Sequence, residues 1–172
     1  MMIQKTNAAG NTLAVIYLSN MIVPITTENI DECVSVYLKA YNCPPWNYNW
    51  TFEKAREYLL EYIGCKQFVG FALYDEEKVA GAVFAHTKTW WTSRQLMIDE
   101  FFVSQEKQRM GYGKKLLAWC DEYASAQQVG TVVLMTNKYM PSYRFYDKEG
   151  YTATEQYVFM FRQVPGDDSP NV

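Results

Sequence analysis

Histidine is nearly missing from this chain: His86 is the one imidazole in 172 residues. The four cysteines, Cys33, Cys43, Cys65 and Cys120, stand at no CxxC spacing. A tetrahedral zinc site has almost no Cys/His ligand set to draw on, so no metal centre is expected. No dense run of Lys or Arg occurs, the net charge is −3 and the pI is near 5.2. Binding to nucleic acid through its phosphates is therefore not expected. The N-terminal apolar run, Thr12 to Leu18, is far shorter than the ~20 residues that span a bilayer, and no membrane partner is expected. Internal repeats, low-complexity tracts and linkers are also missing, which points to one domain.

What is present is the material of a core. Hydrophobic residues make up 49% of the chain and aromatics 16%, which excludes disorder as the main state. Cys33 and Cys120 fall on apolar helical stripes and read as small core residues; free thiols fit a reducing cytoplasm. Residues 1–20 read as an N-terminal extension that packs as an extra strand or stays mobile. The domain proper runs over 21–162, and the polar stretch 163–172 reads as a loose tail.

Along that domain the hydrophobic period changes several times. Met21–Ile25 reads as a short strand, and Thr27 or Asn29 can cap a helix with Ile30, Cys33, Val34, Tyr37, Leu38 and Tyr41 at helical spacing. The loop Asn42–Trp50 carries Trp46, Tyr48 and Trp50. Thr51 then caps a helix with Phe52, Ala55, Leu59, Tyr62 and Ile63 on one side. Strands are predicted at Phe68–Tyr74, from Val79 to Thr87 or beyond, and at Arg94–Val103. A helix from Lys114 carries a stripe of Leu116, Leu117, Cys120, Tyr123 and Ala124. Thr131–Thr136 reads as a buried strand, Pro141–Glu149 as a short helix stopped by Gly150, and Tyr151–Arg162 as a final strand. The order, βαα, three strands, then αβαβ, predicts a mixed α/β domain in which an antiparallel meander feeds a crossover helix.

Between the third predicted strand of the meander and the helix after it lies Gln108-Arg109-Met110-Gly111-Tyr112-Gly113. A glycine loop opening a helix gathers unpaired backbone N–H groups at the positive end of the helix dipole, where a phosphate binds well. A dinucleotide fingerprint needs a third glycine where Leu116 stands, and belongs to the first strand of a βαβ series. A Walker A loop needs Ser or Thr where Lys115 stands, and glycine where Gln108 stands. The pattern Q/R-x-x-G-x-G/A is met by Gln108, Gly111 and Gly113. With Phe145-Tyr146-Asp147-Lys148-Glu149-Gly150-Tyr151 following the buried strand, close to an FYxKxGF signature, the chain resembles the GNAT superfamily of N-acetyltransferases over roughly residues 21–162.

That resemblance implies an α+β, or mixed α/β, fold. Its central sheet is mixed but mostly antiparallel and flanked by helices, with two strands splayed to form an acyl-CoA cleft. It implies acetyl-CoA as cofactor. Main-chain groups at Phe102 and Val103 would pair with pantetheine, and the backbone from Gln108 through Arg109, Met110, Gly111, Tyr112 and Gly113 to Lys114 would hold the pyrophosphate. Asn137 would hydrogen-bond pantetheine or end its strand. Tyr146 matches the family's tyrosine at the cofactor sulfur and is the expected general acid. Glu100 is the favoured base over Asp99. Simple alternation sends these two carboxylates to opposite faces unless a bulge intervenes, and a salt bridge across the sheet is the structural alternative for either. His86, between apolar neighbours, reads as structural. The acceptor is expected to be a small-molecule amine or a peptide, met by the aromatic loop 42–50 and by Trp90 and Trp91, with the protein a monomer or homodimer. A non-catalytic acyl-CoA sensor and a transferase of another acyl group are the competing readings.

Overall fold

The computed structural model describes residues 21–164 and Gly166. The expected extension at 1–20 and most of the tail lie outside these residues. The chain divides into a first unit ending at Met135 and a second beginning at Thr136.

The first unit holds one five-stranded sheet in chain order: β1 (Met21–Pro24), β2 (Phe68–Asp75), β3 (Lys78–Thr89), β4 (Arg94–Val103) and β5 (Thr131–Leu134). The first three pairings are antiparallel and β4–β5 is parallel. A parallel pair needs a crossover, and α3 (Tyr112–Ala126) supplies it. Helices α1 (Ile30–Tyr41) and α2 (Phe52–Ile63) sit between β1 and β2 in the chain.

Helical periodicity accounts for α1, whose buried stripe includes Ile30, Cys33, Val34 and Tyr37. Asn29 occupies its cap position but caps nothing with its side chain. It closes the preceding turn instead, accepting from the Thr26 amide at 2.9 Å and donating to the Pro24 carbonyl at 3.1 Å. Thr51 caps α2 as the sequence suggests, accepting from the Lys54 amide. The α1 and α2 stripes bury against Ala72, Ala82, Phe84 and Phe102 of the sheet. Each large side chain buried in this way contributes roughly 1.5–3 kcal/mol. In α3 the buried residues include Leu116, Leu117, Cys120 and Ala124. That helix begins at Tyr112, two residues earlier than predicted, because Gly111 caps it in the left-handed conformation (φ 87°).

Two departures from regular pairing shape the site. The β4–β5 ladder runs from Gln95↔Thr131 to Ile98↔Leu134 and stops, while β4 continues beside β3 as far as Val103↔Gly81. Beyond Ile98, the β5-side edge of β4 therefore carries no ladder among the described residues. On the other side, Phe84 pairs with Glu100 but Ala85 pairs with Ile98, so Asp99 is an extra residue in β4. No helix among the described residues is long and apolar enough to cross a membrane.

In the second unit, α4 (Pro141–Lys148) starts with proline in its first turn and is followed by Gly150 at φ 90°, as the sequence suggests. The predicted strand Tyr151–Arg162 is not formed. Among the described residues it joins no ladder, and Tyr157, Val158, Phe159, Met160 and Phe161 are each 59–83% exposed. A half-buried strand needs one apolar and one polar face. Five apolar neighbours in a row supply no such contrast, and without a partner strand their backbone groups are left to water.

Candidate active site

The bulge at Asp99 decides which side chains meet. His86 and Phe84 share one face of β3, and His86 pairs with Met97 while Phe84 pairs with Glu100. Met97 and Asp99 thus lie on that face by ordinary alternation, and the extra residue resets the count so that Glu100 and Phe102 lie on it too. Both carboxylates therefore face α1 and α2, which the alternation of an unbulged strand would forbid. Neither forms a salt bridge with Lys or Arg among the described residues.

Glu100 is held instead by phenols. Tyr41 of α1 donates to Glu100 Oε2 at 2.9 Å, and Tyr58 of α2 donates to Oε1 at 2.6 Å. Tyr58 and Tyr62 lie with their hydroxyls 2.7 Å apart. A phenol has one hydrogen, so with that of Tyr58 given to Glu100, Tyr62 is the donor to Tyr58. Asp99 Oδ2 lies 2.7 Å from His86 Nδ1. Burial holds the Glu100 carboxyl above its usual range; the two phenols pull it back, and the charge of Asp99 pushes it up again. Asp99 is raised by burial and restrained by its hydrogen bond to His86. Burial, then the charge of Glu100, drives Tyr37 and Tyr58 well above an ordinary phenol. Both therefore stay neutral over the working pH range.

The loop 42–50 packs onto this cluster. Asn42 clamps Trp50 through both its amide atoms, at 2.8 and 2.9 Å. Trp50 stacks on Tyr58 at 5.2 Å between centroids, and Tyr48 stacks on Tyr41 at 6.0 Å. Tyr48 keeps half of its surface exposed. Trp90 and Trp91 lie past the end of β3, Trp91 almost wholly exposed.

After β4, the amide of the buried Ser104 donates to the Ala80 carbonyl, and a 3₁₀ turn covers Gln105–Lys107. Lys107 pairs with Asp75 at the end of β2 at 2.5 Å, tying the turn to the β2–β3 hairpin. Gln108 donates its side-chain amide to the Val103 carbonyl at 3.2 Å, clasping the end of β4. Arg109 and Gly111 both adopt positive φ, at 62° and 87°. A Cβ placed on Gly111 would meet nothing within 4 Å, so the space over this backbone is open. Among the described residues, the N–H groups of Arg109, Met110 and Gly111 donate to no loop carbonyl. The first turns of α1 and α2 carry Asp31, Glu32 and Glu53, but that of α3 carries no acid. The first turn of α3 supplies no acid of its own, and the Asp75 carboxylate that reaches it from β2 is paired with Lys107, an arrangement that suits an anionic ligand. Arg109, Met110 and Lys114 are exposed here, whereas the Tyr112 side chain is buried and bonded to Asp75, leaving only its main chain to a ligand.

Tyr146 and Asn137 belong to the second unit. Tyr146 is the buried residue of α4, with the Phe145 ring 5.2 Å and the Tyr151 ring 5.5 Å from its own. The side-chain oxygen of Asn137 accepts from the Tyr139 amide at 2.9 Å, closing a turn and leaving its amide nitrogen for another partner.

No cluster of three His, Cys, Asp or Glu side chains that could hold a metal occurs among the described residues, and all four cysteines are free. What sequence reading missed is the phenol shell. Its signal was available as two tyrosine pairs at i, i+4, Tyr37/Tyr41 and Tyr58/Tyr62, one pair on each helix. The partnership of His86 with Asp99 was not legible, because it depends on cross-strand register.

No curated protein matches the chain in sequence. Among solved structures, a transcriptional regulator from Bacillus halodurans is similar, with 18% identity and a TM-score of 0.70 over 83% of this chain and 99% of that one. A GNAT family acetyltransferase of Staphylococcus aureus has 17% identity and a TM-score of 0.66 over 86% and 100% of the two chains. An aminoglycoside acetyltransferase from an uncultured soil metagenomic sample, solved with sisomicin, has 16% identity and a TM-score of 0.67 over 84% and 96%. At such identities these likenesses establish the fold. Residues 35–151 match the acetyltransferase (GNAT) family, and since that is well over half of the chain, the protein belongs to the GNAT family of acetyltransferases.

Proposed function

We propose that this chain transfers an acetyl group from acetyl-CoA to a primary amine of a small-molecule or peptide acceptor, as a cytoplasmic enzyme. The observation that carries the reading is Glu100: a carboxylate held by two phenols, on the stretch of β4 that β5 leaves uncovered and two residues before Phe102. Acetyl-CoA brings the acetyl group as a thioester open to direct attack by a neutral amine.

The chain's own residues then have separate tasks. Amides from Arg109 to Lys114 hold the pyrophosphate, the Gln108 amide being donated to the Gln105 carbonyl, with Arg109 and Lys114 adding charge. The edge of β4 that β5 leaves uncovered offers main-chain groups at Phe102 and Val103 to the pantetheine, beside the Val103 carbonyl that Gln108 engages, and an N–H there polarises the acetyl carbonyl. Asn137 offers its amide to the same arm. Glu100 accepts the proton of the incoming ammonium, a task suited to a carboxyl that burial holds above the ordinary glutamate range. Tyr146 protonates the departing thiolate and is reprotonated by the proton that the attacking nitrogen sheds as the amide forms. The exposed ring of Tyr48 and its neighbours in the 42–50 loop attract an ammonium before it is deprotonated.

The test is thiol release from acetyl-CoA across a panel of amines: simple primary amines, amino-acid derivatives, peptide N-termini and amino sugars. Amino sugars are included because a similar fold was solved with an aminoglycoside. Turnover with at least one class supports the reading. Tight CoA binding without turnover on any amine sinks it in favour of a sensor, and turnover confined to a longer acyl-CoA corrects the donor.

A further inference from the structure

We propose that Tyr58 and Tyr62 carry away the proton that Glu100 takes up, and that Tyr41 and Tyr58 are positioning residues that fix this carboxylate; the inference rests on Glu100 being the base. Each turnover leaves one proton on Glu100, and that proton must leave before the next amine is deprotonated. Both carboxylate oxygens are already engaged, Oε2 by Tyr41 and Oε1 by Tyr58. From Oε1 the hydroxyls continue through Tyr58 to Tyr62, which is partly exposed, with spacings of 2.6 and 2.7 Å.

The transfer balances along this chain. The protonated Oε1 gives its hydrogen to Tyr58 Oη, Tyr58 gives its own to Tyr62 Oη, and Tyr62 gives its own to water. Three O–H bonds break and three form. Glu100 ends as a carboxylate accepting from Tyr58, and Tyr58 accepts from Tyr62, which is the arrangement in the structure. Because burial and the charge of Glu100 hold Tyr58 far above an ordinary phenol, no phenolate accumulates along this chain.

The groups facing Glu100 are Tyr37 and Tyr41 from α1, Tyr58 and Tyr62 from α2, and Asp99 from its own strand, with His86 of β3 behind Asp99. Among the described residues no Lys or Arg pairs with Glu100, so phenols rather than a cation keep its charge in place.

The full-length enzyme tests this with Tyr58→Phe and Tyr62→Phe, beside Glu100→Gln. Two readouts are used: the pH profile of kcat/KM, and a ¹³C-carboxyl NMR titration of Glu100, which needs no activity. Tyr58→Phe removes a donor that favours the charged carboxylate, so the Glu100 pKa and the acidic limb should both rise by about one pH unit. Tyr62→Phe leaves both bonds to Glu100 intact, so its pKa should hold while kcat falls about tenfold with a larger solvent isotope effect and an unchanged KM for acetyl-CoA. An unmoved Glu100 pKa in Tyr58→Phe, or wild-type kcat in Tyr62→Phe, overturns the relay while the base assignment survives. Full activity of Glu100→Gln overturns the base assignment itself and the relay with it.

Discussion

The loop from Gln108 to Gly113 and the strand segment from Asp99 to Val103 are near neighbours in the chain, yet they are built in opposite ways. In the loop the backbone acts: two positive φ angles, a glycine cap and a helix start without acids leave N–H groups facing open space. The side chains there mostly brace the loop, as Gln108 does on Val103 and Tyr112 on Asp75. In the strand the side chains act. One extra residue turns Glu100 toward the two helices, and phenols from both of them hold it. A backbone site is written in a local motif, whereas a side-chain site depends on partners about 40 and 60 residues away in the chain.

This contrast can be broken in descending steps. Glu100→Gln should cut turnover by about 10²–10⁴-fold while leaving CoA affinity unchanged; steady-state kinetics beside calorimetry would show whether strand and loop are separable, and a parallel loss of CoA binding would show that they are not. Gly111→Trp should do the reverse and weaken CoA binding by roughly 100-fold or more. It also carries a stability cost of about 1–2 kcal/mol, because a side chain at φ 87° is strained. Gly111→Ala, strained but small, separates bulk from strain, and undiminished calorimetric binding in the Trp variant would remove the loop from the phosphate site.

Tyr146→Phe is expected to lower kcat by about 10–100-fold with little change in CoA affinity. Equal losses in both, or none, would mean that Tyr146 is not the acid.

The smallest effect is on stability. Burial raises the pKa of Glu100 in the folded state, so the folded protein binds the proton more tightly than the unfolded chain does. Stability in the wild type should therefore fall as pH climbs from the ordinary glutamate range through the raised value. Glu100→Gln should remove that fall and raise Tm above the window, by roughly 2–4 °C for each kcal/mol of burial cost relieved. A Tm difference between the two proteins that does not change between pH 4 and pH 8 would contradict this.

Much of the fold was legible because its signals are short-range. The stripes of α1 and α2, the Thr51 cap and the meander from Phe68 to Val103 follow from periods of 3.6 and 2 and from capping chemistry. Failures came where a partner was needed. The apolar run ending at Phe161 reads as a strand but has none to pair with among the described residues, and Asn29 sits at a cap position while its side chain serves the preceding turn. At the site, Glu100 stands out by its place before the glycine loop, but nothing in the sequence marks Tyr41 and Tyr58 as the phenols that hold it. Their i, i+4 spacing marks one helix face without saying what that face meets.

The sequence by itself determined the glycine loop before α3, the order of elements and the family resemblance, because each is carried by residues close together in the chain. Only the tertiary structure decided that Asp99 and Glu100 face the same way, that Tyr41 and Tyr58 grip Glu100 from separate helices, and that β5 leaves β4 uncovered beyond Ile98. The physical reason is register. A single extra residue in one strand inverts the faces of those that follow, and where that residue falls is settled by the packing of the whole sheet.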